Sequence, residues 1–366
     1  MHQGKKIYAR VAASAIGLAV AATLASNSWA GENRGAVYAL TNQVAGNSVM
    51  VYDRAANGVL TYAGTYDTGG IGTGTGGDPL GSQGAIVTHG GMVLAVNAGS
   101  NDVSLFRIAG DQLVLLDKVA SGGTMPVSIA AKGALVYVLN AGGTPNISGF
   151  TIDWESQRLV ALANSTRPLP GGPGSGPAEV HFASDGETLL VTEKNTQMID
   201  AYRVTDGGYT VGPKTIQANG MVPFGFDVTR RGYAIVSEAG SGSAASYDVG
   251  DDGHLRPIGS VVALGEKAPC WLVTTADGRF AYTANAGSGN ISQLAIGADG
   301  SLTLVNAAAG ALAAPLDMAF SADNSYLYAR DGNGSLTGFQ VAADGSLTLA
   351  TVVTGIPAGA QGIAAR

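Results

Sequence analysis

The sequence predicts an all-β fold, a seven-bladed β-propeller built from four-stranded blades. The first observation is a strand pattern that recurs seven times, with reference residues 43 to 56 positions apart. Repeats of this length that hold several short strands are typical of propellers. The second observation is the absence of any long stretch with the 3.6-residue period of a helix. The reference residues are Thr41, Asn97, Asn140, Glu193, Glu238, Asn285 and Arg330.

One repeat shows why each unit should form antiparallel strands. The segments 280–284 and 291–296 are short apolar and aromatic runs, too short for helices, and the loop NAGSGN joins them. Asp299-Gly300 follows, and such a pair predicts a type I′ hairpin turn with positive φ at both central residues. The same kind of pair recurs at Asn57-Gly58, Asp185-Gly186, Asp252-Gly253, Asp277-Gly278 and Asp344-Gly345.

The sequence also indicates how blades are connected and how the ring closes. A proline precedes an apolar strand in five units, where the chain should cross to the next blade. The first unit begins directly with VYALT and lacks the innermost strand, whereas the C-terminal AQGIAA resembles the innermost-strand segment SQGAIV. We therefore expect the last residues to pair beside 36–40, which would leave no open sheet edge. The five prolines are Pro126, Pro177, Pro223, Pro269 and Pro315.

Residues 31–366 are predicted to form a single propeller domain without a linker. The chain contains 55 glycines and only 13% charged residues, a composition suited to many tight turns around a β core. Two glycine-rich stretches, Thr68–Gly81 and Arg167–Pro177, account for the longest spacings and are interpreted as loop insertions. Each blade packs only on its neighbours, so the usual limit on domain size does not apply.

Residues 1–30 have the features of a secretory signal peptide. Lys5, Lys6 and Arg10 precede the apolar run 11–25, and Ser28 and Ala30 place small residues before a cleavage site. The alternative is a retained membrane anchor, for which the apolar run is short. The sequence thus predicts a periplasmic or secreted protein with no membrane span after processing.

Charge and cysteine content exclude some partners. Removal of the leader takes away three cations and no acids, so the formal net charge changes from −7 to −10. Such a charge argues against nucleic acids and anionic membranes as partners. The single cysteine, Cys270, cannot form an internal disulfide and lies in an apolar strand, so it is interpreted as a buried structural thiol. We expect a monomer with a small-molecule substrate.

Propeller geometry predicts which residues meet. The first strand of each unit begins, and the second strand ends, on one side of the ring, which we call the top face. The reference residues and the residues that follow the prolines should surround the mouth of the channel on this face, with the two insertions beside them. The predicted binding residues are Gln83, Asn97, Asn140, Glu179, Trp271, Asn285 and Asp317.

The positions where the repeat departs from its own pattern are candidates for catalysis. Glutamate replaces the usual asparagine in two adjacent units, at Glu193 and Glu238. Carboxylates close together in a desolvated channel raise each other's pKa, as a general acid or base requires. Arg330 and Lys194 could hold an anionic substrate or stabilise an oxyanion. Alternatively, these charges pair only with each other and serve structure.

Other motifs are weaker. His181 lies on an inner strand and could transfer protons, although a hydrogen-bonded core histidine is the competing interpretation. No His-Glu-x-x-His motif, Cys-His cluster, dinucleotide fingerprint or nucleophile elbow is present. The sequence therefore predicts no cofactor. It leaves open a Ca²⁺ or Mg²⁺ ion held by carboxylates and asparagines of the top face, because hard oxygen ligands suit these ions.

Several segments resemble the lactonase-type seven-bladed propellers, the family of bacterial 6-phosphogluconolactonase and the fungal carboxymuconate lactonising enzyme. The resemblance covers essentially the whole mature chain and is carried by GTGGDPLGSQGAIV, VLAVNAGSNDVSLFRI, PAEVHFASDGETLLVTEKNTQMIDAYRV and APCWLVTTADGRFAYTANAGSGNIS, among other segments. The phosphogluconolactonase group has a P-H-x-H motif in its inner strands. The comparable text here is Pro177-Ala178-Glu179-Val180-His181, in which only His181 is a histidine.

Two functions from different classes follow. In the first, the protein opens or closes a small carboxylate-bearing lactone, with Glu193 or Glu238 as acid or base and Arg330 and Lys194 holding the negative charge. In the second, it is a non-catalytic propeller that binds a protein or small molecule outside the cytoplasm. The fold hosts both kinds of function and does not choose between them.

Overall fold

The chain forms seven antiparallel sheets that follow one another in sequence. The computed structural model describes Met1, 35–74 and 76–366. The predicted signal peptide and its cleavage site therefore lie outside the described residues, apart from Met1. The seven sheets confirm the predicted all-β propeller, and we number them as blades 1 to 7. Within the described ranges no helix is long and apolar enough to cross a membrane.

The first three blades contain the strands up to the second glycine-rich insertion, which connects blades 3 and 4. Blade 1 contains β1 (Gly35–Leu40), β2 (Ser48–Arg54) and β3 (Leu60–Asp67). Blade 2 contains β4 (Ile86–His89), β5 (Met92–Asn97), β6 (Asp102–Ala109) and β7 (Gln112–Ala120). Blade 3 contains β8 (Thr124–Lys132), β9 (Leu135–Gly142), β10 (Asn146–Asp153), β11 (Arg158–Ala161) and the short β12 (Arg167–Pro168).

The next four blades repeat the same order from the channel outward. Blade 4 contains β13 (Pro177–Phe182), β14 (Thr188–Glu193), β15 (Met198–Val204) and β16 (Thr210–Gln217). Blade 5 contains β17 (Pro223–Val228), β18 (Tyr233–Glu238), β19 (Ser243–Val249), β20 (Leu255–Pro257) and β21 (Val262–Ala263). Blade 6 contains β22 (Pro269–Thr274), β23 (Phe280–Asn285), β24 (Asn290–Ile296) and β25 (Leu302–Ala311). Blade 7 contains β26 (Pro315–Phe320), β27 (Tyr326–Asp331), β28 (Ser335–Val341) and β29 (Leu347–Thr354).

The C-terminal strand closes the ring as predicted. Strand β30 (Ile363–Ala365) pairs with β1 and becomes the innermost strand of blade 1. Three residue pairs form the ladder, Val37 with Ala365, Tyr38 with Ala364 and Ala39 with Ile363. The hydrogen bond from Leu40 N to Gly362 O extends the contact beyond the ladder. All residues of β1 are buried, so without β30 the unpaired backbone N–H and C=O groups of a buried strand would face the channel.

The hairpin turns lie where the sequence places them, but their type differs from the prediction. Gly300 has φ +81°, whereas Asp299 is not among the residues with positive φ. Gly300 N donates to Gly297 O and Gly297 N donates to Ser301 O. This is a type I turn closed by a left-handed glycine, the usual alternative to the type I′ hairpin. The Asp299 side chain stabilises the turn, because its carboxylate accepts a hydrogen bond from Ser301 N at 3.1 Å.

Buried tyrosines on the second strands of blades 3, 6 and 7 connect each of these blades with the next one. The Tyr137 hydroxyl of blade 3 donates to Gly208 O of blade 4 at 2.7 Å. The Tyr328 hydroxyl of blade 7 donates to Gly58 O of blade 1 at 2.9 Å, across the closure. A buried tyrosine needs a partner for its hydroxyl, and here that partner is the outer turn of the neighbouring blade. These contacts fix the angle between blades and thereby the width of the channel.

Candidate active site

The end of the Thr68–Gly81 insertion crosses the channel at the top face. We call residues 78–83 the roof segment. The Trp271 indole Nε1 donates to Ser82 O at 2.9 Å. The Gln83 amide donates to Leu272 O at 2.8 Å and accepts from Leu272 N at 2.9 Å. Because blades 2 and 6 are far apart around the ring, these bonds show that the roof segment spans the channel.

A cavity of about 510 Å³ lies beneath the roof segment. The innermost strands of the blades line it from Gln83 to their far ends, where Lys132, Ser184 and Arg230 complete the lining. Lys132 and Arg230 are exposed, so the cavity opens towards the face opposite the top face. The cavity thus opens on the side opposite the predicted mouth, because the end of the Thr68–Gly81 insertion crosses the top of the channel.

Three carboxyl groups in the cavity wall bind the inner strand of the following blade. Glu179 Oε2 accepts from Phe226 N at 2.7 Å, and Asp317 Oδ2 accepts from Ile363 N at 3.2 Å. Asp227 bonds to blade 6 in the same way. Burial is the main cause that raises the pKa of Glu179 well above its usual value and raises that of Asp317 to about 8. Burial thus favours the protonated form of Asp317, whereas the backbone N–H groups of Met318 and Ile363 oppose that shift.

His181 also lines the cavity, two residues after Glu179 on β13. Its Nδ1 lies 2.8 Å from Phe182 O. A carbonyl oxygen only accepts hydrogen bonds, so this contact requires Nδ1 to carry a proton, and in the neutral ring Nε2 then has the lone pair. The ring is half-buried and packs edge-on against Phe226, with centroids 6.0 Å apart. The arrangement fixes the tautomer that a general base needs.

Glu193 is fully buried within blade 4, away from the cavity lining. Its carboxylate accepts from Gly171 N at 3.1 Å and from the Thr196 hydroxyl at 2.5 Å. A side chain at Gly171 would collide with Glu193, so the second glycine-rich insertion covers this carboxylate. Next to it, burial together with the Glu193 charge raises the pKa of Asp200 to about 7. Glu193 therefore belongs to a buried pair of carboxyl groups.

Glu238 occupies the equivalent place in blade 5 and is also fully buried. Its Oε1 accepts from the Tyr247 hydroxyl at 3.3 Å, whereas no donor in the described residues reaches its Oε2. Burial raises the pKa of Glu238 to about 7. The two glutamates thus lie inside separate blades, and neither appears among the residues that line the cavity. Their catalytic role stays a prediction.

The seventh reference residue was assigned one position too early. Asp331, and not Arg330, pairs with the proline of its blade, as Glu193, Glu238 and Asn285 do in theirs. A shift of one residue moves a strand side chain to the other face of the sheet. The Arg330 side chain therefore lies on the other face of the sheet. On the neighbouring strand β26, the bulge that contains Asp317 lies beside Arg330. The structure does not bring it together with the two glutamates.

The predicted binding residues separate into two groups. Gln83, Glu179 and Asp317 line the cavity. Asn97 and Asn285 instead donate to serines of their own blades, Ser104 and Ser292, both at 2.8 Å. Asn140 similarly donates to Asn146, and Trp271 is buried beside the roof segment. The asparagines are thus internal blade connectors.

Lys194 lies near the roof segment and not at the open end of the cavity. Its ammonium group donates to Gly81 O and stands 4.8 Å from the centre of the Phe224 ring. Burial lowers the pKa of Lys194, and the nearby Asp78 carboxylate opposes that shift. The roof segment therefore brings a carboxylate close to this lysine.

Sequence reasoning missed Lys132, Asp227, Arg230 and the buried Asp200. A signal for Asp200 was present, because it follows its reference residue by seven positions, as Ser104 and Ser292 follow theirs. Comparison of the residues seven positions after the reference residues would have shown that blade 4 has aspartate where blades 2 and 6 have serine. Lys132, Asp227 and Arg230 have no such marker, since their neighbours belong to other blades. In the part of the chain that the structure describes, no three His, Cys, Asp or Glu side chains are grouped to hold a metal ion.

Comparison with known proteins agrees with this architecture. A model of the family described as lactonase, seven-bladed beta-propeller, matches residues 226–313. A solved structure from Lactobacillus plantarum is 18% identical with TM-score 0.72, over 91% of this chain and 99% of that chain. The periplasmic gluconolactonase of Pseudomonas aeruginosa is 16% identical with TM-score 0.67, over 89% and 98%.

A third structure, a Bacteroides fragilis protein whose name proposes 6-phosphogluconolactonase activity, is 15% identical with TM-score 0.66, over 91% of this chain and 98% of that chain. At such identities the three structures establish a common fold. The family match falls on blades 5 and 6, and blade 6 contains APCWLVTTADGRFAYTANAGSGNIS, one of the segments that carry the sequence resemblance. The chain is a seven-bladed β-propeller, and its residues 226–313 match the model of the lactonase family.

Proposed function

We propose that the protein is a lactonase-like hydrolase that opens a small carboxylate-bearing lactone in the central cavity. The observation that supports this best is His181, which lines a cavity of about 510 Å³ with its tautomer fixed by Phe182 O. Pockets of this volume are typical of small-molecule sites. The family match and the gluconolactonase of similar fold support the same class of reaction.

The residues of the cavity supply an acid and a base. His181 Nε2 takes a proton from water, and the hydroxide oxygen forms a bond to the lactone carbonyl carbon. The bond between that carbon and the ring oxygen then breaks, and the ring oxygen takes the proton of the Asp317 carboxyl group. Proton transfer from the imidazolium through solvent restores Asp317. The product is a hydroxy acid, and the reverse sequence closes the ring.

Cationic side chains at the open end favour an anionic substrate. Lys132 and Arg230 line this end, and the Lys132 ammonium group is held by Ser184 O at 2.9 Å. The chain as a whole is acidic, with a formal net charge of −7, so two cations at the opening give it a local potential of opposite sign. We therefore propose that the substrate carboxylate binds at this end of the cavity. A location in the periplasm or outside the cell is proposed as well, and it is supported by the predicted leader at residues 1–30 and by the periplasmic gluconolactonase of similar fold.

The alternative is a non-catalytic propeller that binds a ligand or a protein. One observation favours it, because Glu179, Asp227 and Asp317 each accept a backbone hydrogen bond from the next blade. Carboxyl groups that hold two neighbouring blades together are explained by stability and do not require a catalytic role. Under this alternative the wild-type protein opens no lactone, which separates the two functions experimentally.

His181→Gln should lower kcat/KM for lactone hydrolysis by about 100-fold or more, the usual contribution of a general base, with little change in melting temperature. The measurement is hydrolysis of a panel of carboxylate-bearing lactones by the purified mature protein. His89→Gln is the matched control, because His89 is the other inner-strand histidine and bonds to Gly133 O in blade 3. Full activity of His181→Gln would refute the assignment.

Measured on the same panel, Glu193→Gln and Glu238→Gln test the sequence prediction that these glutamates act as acid or base. A catalytic glutamate would lose turnover at an unchanged melting temperature. A change confined to the melting temperature would show that Glu193 and Glu238 only support their blades. If the wild-type protein hydrolyses no member of the panel, the binding function replaces the proposed one.

A further inference from the structure

Arg330 has a buried guanidinium group whose donors are not all used. The residue is 1% exposed, and neither Nε nor Nη1 has a hydrogen-bond partner within the described residues. A buried donor left without an acceptor is costly, and more so when it carries charge. Such a group indicates that an acceptor from outside the chain, either a water molecule or an anion, completes the site.

The carboxyl groups near Arg330 are already occupied by other donors. Asp317, Asp78 and Asp331 all raise the pKa of Arg330 by their charge, while burial, the largest influence, lowers it. Asp317 accepts from Met318 N and Ile363 N. Asp331 accepts from two backbone N–H groups of the preceding connection and from hydroxyl groups of β28. Their attraction keeps the arginine in place without satisfying its hydrogen bonds.

Asp78 belongs to the roof segment, and its carboxylate is held by groups of its own turn and of the C-terminal segment. Its carboxylate accepts from Gly81 N at 2.9 Å and from the Gln361 amide. Gly81 also accepts from the Lys194 ammonium group, which places Lys194 next to the same turn. Lys194 and Arg330 both act electrostatically on Asp78. One tethered carboxylate thus interacts through its charge with a lysine of blade 4 and an arginine of blade 7.

We propose that Arg330 and Lys194 form a binding site for a small carboxylate, which Asp78 occupies as a tethered competitor. A planar guanidinium group binds a carboxylate through two parallel hydrogen bonds, which Asp78 does not make here. The site adjoins the cavity, because Gln83 of the roof segment and Asp317 belong to its lining. The proposal concerns binding and does not require lactone hydrolysis.

The test is titration calorimetry of sodium malonate, a small dicarboxylate, against the purified mature protein at constant ionic strength, with sodium chloride as the reference salt. Asp78→Ala should bind malonate at least about tenfold more tightly than the wild type, because one competing carboxylate is removed. Asp206→Ala, the same change at an exposed turn of blade 4, should bind as the wild type does.

Adding Arg330→Met to Asp78→Ala should abolish the gain. If that double variant does not fold by circular dichroism, Lys194→Met in the same background should reduce the affinity instead. The proposal is wrong if Asp78→Ala and the wild type bind malonate equally, or if the tighter binding survives removal of both cations. Hydrolytic activity does not enter these measurements, so the result is independent of the proposed function.

Discussion

Removing residues 359–366 should lower the melting temperature by on the order of 10 °C or more, because the last strand closes the ring. This deletion removes β30 and with it the whole inner edge of blade 1. Three β-ladder pairs are lost, together with the hydrogen bonds from Gln361 N to Leu40 O and from Arg366 N to Ala36 O. Ala360, Ile363 and Ala364 are buried, so their apolar contacts are lost as well.

The deletion also affects two neighbouring elements. Asp317 loses its partner Ile363 N, and the roof segment loses Gln361, which accepts from Leu80 N at 3.1 Å. Thermal unfolding followed by circular dichroism measures the effect. A synthetic peptide of sequence 359–366, added in excess, should restore part of the lost stability, whereas a scrambled peptide should not. An unchanged melting temperature in the deletion variant would contradict ring closure by β30.

The second large effect is expected from Asp200→Ser, which should raise the melting temperature at pH 8. Glu193 and Asp200 are both fully buried and adjacent, and within the described part of the chain no salt bridge reaches either one. Burial is the main cause that raises the pKa of Asp200 from 3.8 to about 7, and the Glu193 charge adds to it. The folded protein must therefore hold a proton that the unfolded chain releases.

The direction of the pH dependence follows from that proton. Because the pKa of Asp200 is higher in the folded state, its contribution is favourable below about pH 4 and is lost as pH rises through about 7. Each unit of pKa difference corresponds to about 1.4 kcal/mol, so the shift from 3.8 to about 7 lowers the free energy of unfolding by on the order of 4 kcal/mol at pH 8. Serine removes the titrating group, and Ser104 and Ser292 show that it fits this position.

The measurement is the difference in melting temperature between Asp200→Ser and the wild type from pH 5 to pH 8. We expect this difference to become more positive as pH rises. Asp206→Ser changes an exposed aspartate of the same blade and should show no such trend. Glu238 also titrates near 7, but it is common to all variants and cancels in the difference. A difference that is constant with pH would mean that Asp200 does not hold a buried proton.

Comparison of the repeats predicted the ends of many strands but gave few contacts of the candidate site. The prolines that begin the inner strands of blades 4 to 7 lie opposite the predicted ends of the second strands, at Glu193, Glu238 and Asn285 and, one residue later, at Asp331. His181, Glu179, Gln83 and Asp317 were predicted as site residues and line one cavity. Lys132 and Arg230 were not predicted, because no local pattern marks a side chain whose neighbours lie in other blades.

The number of blades, the order of their strands and the closure by the C-terminus follow from sequence alone. These features depend on local alternation of apolar residues and on turn residues, which each repeat carries within some forty-five positions. Only the packed structure shows the direction of the Arg330 side chain, the burial of Glu193 and Glu238 and the open end of the cavity. A shift of one residue in the strand register moves a side chain to the other face of the sheet, so the sequence pattern alone misplaced Arg330. The roof segment is held by hydrogen bonds to residues of blades 1, 4 and 6, and only the closed ring fixes the positions of these residues.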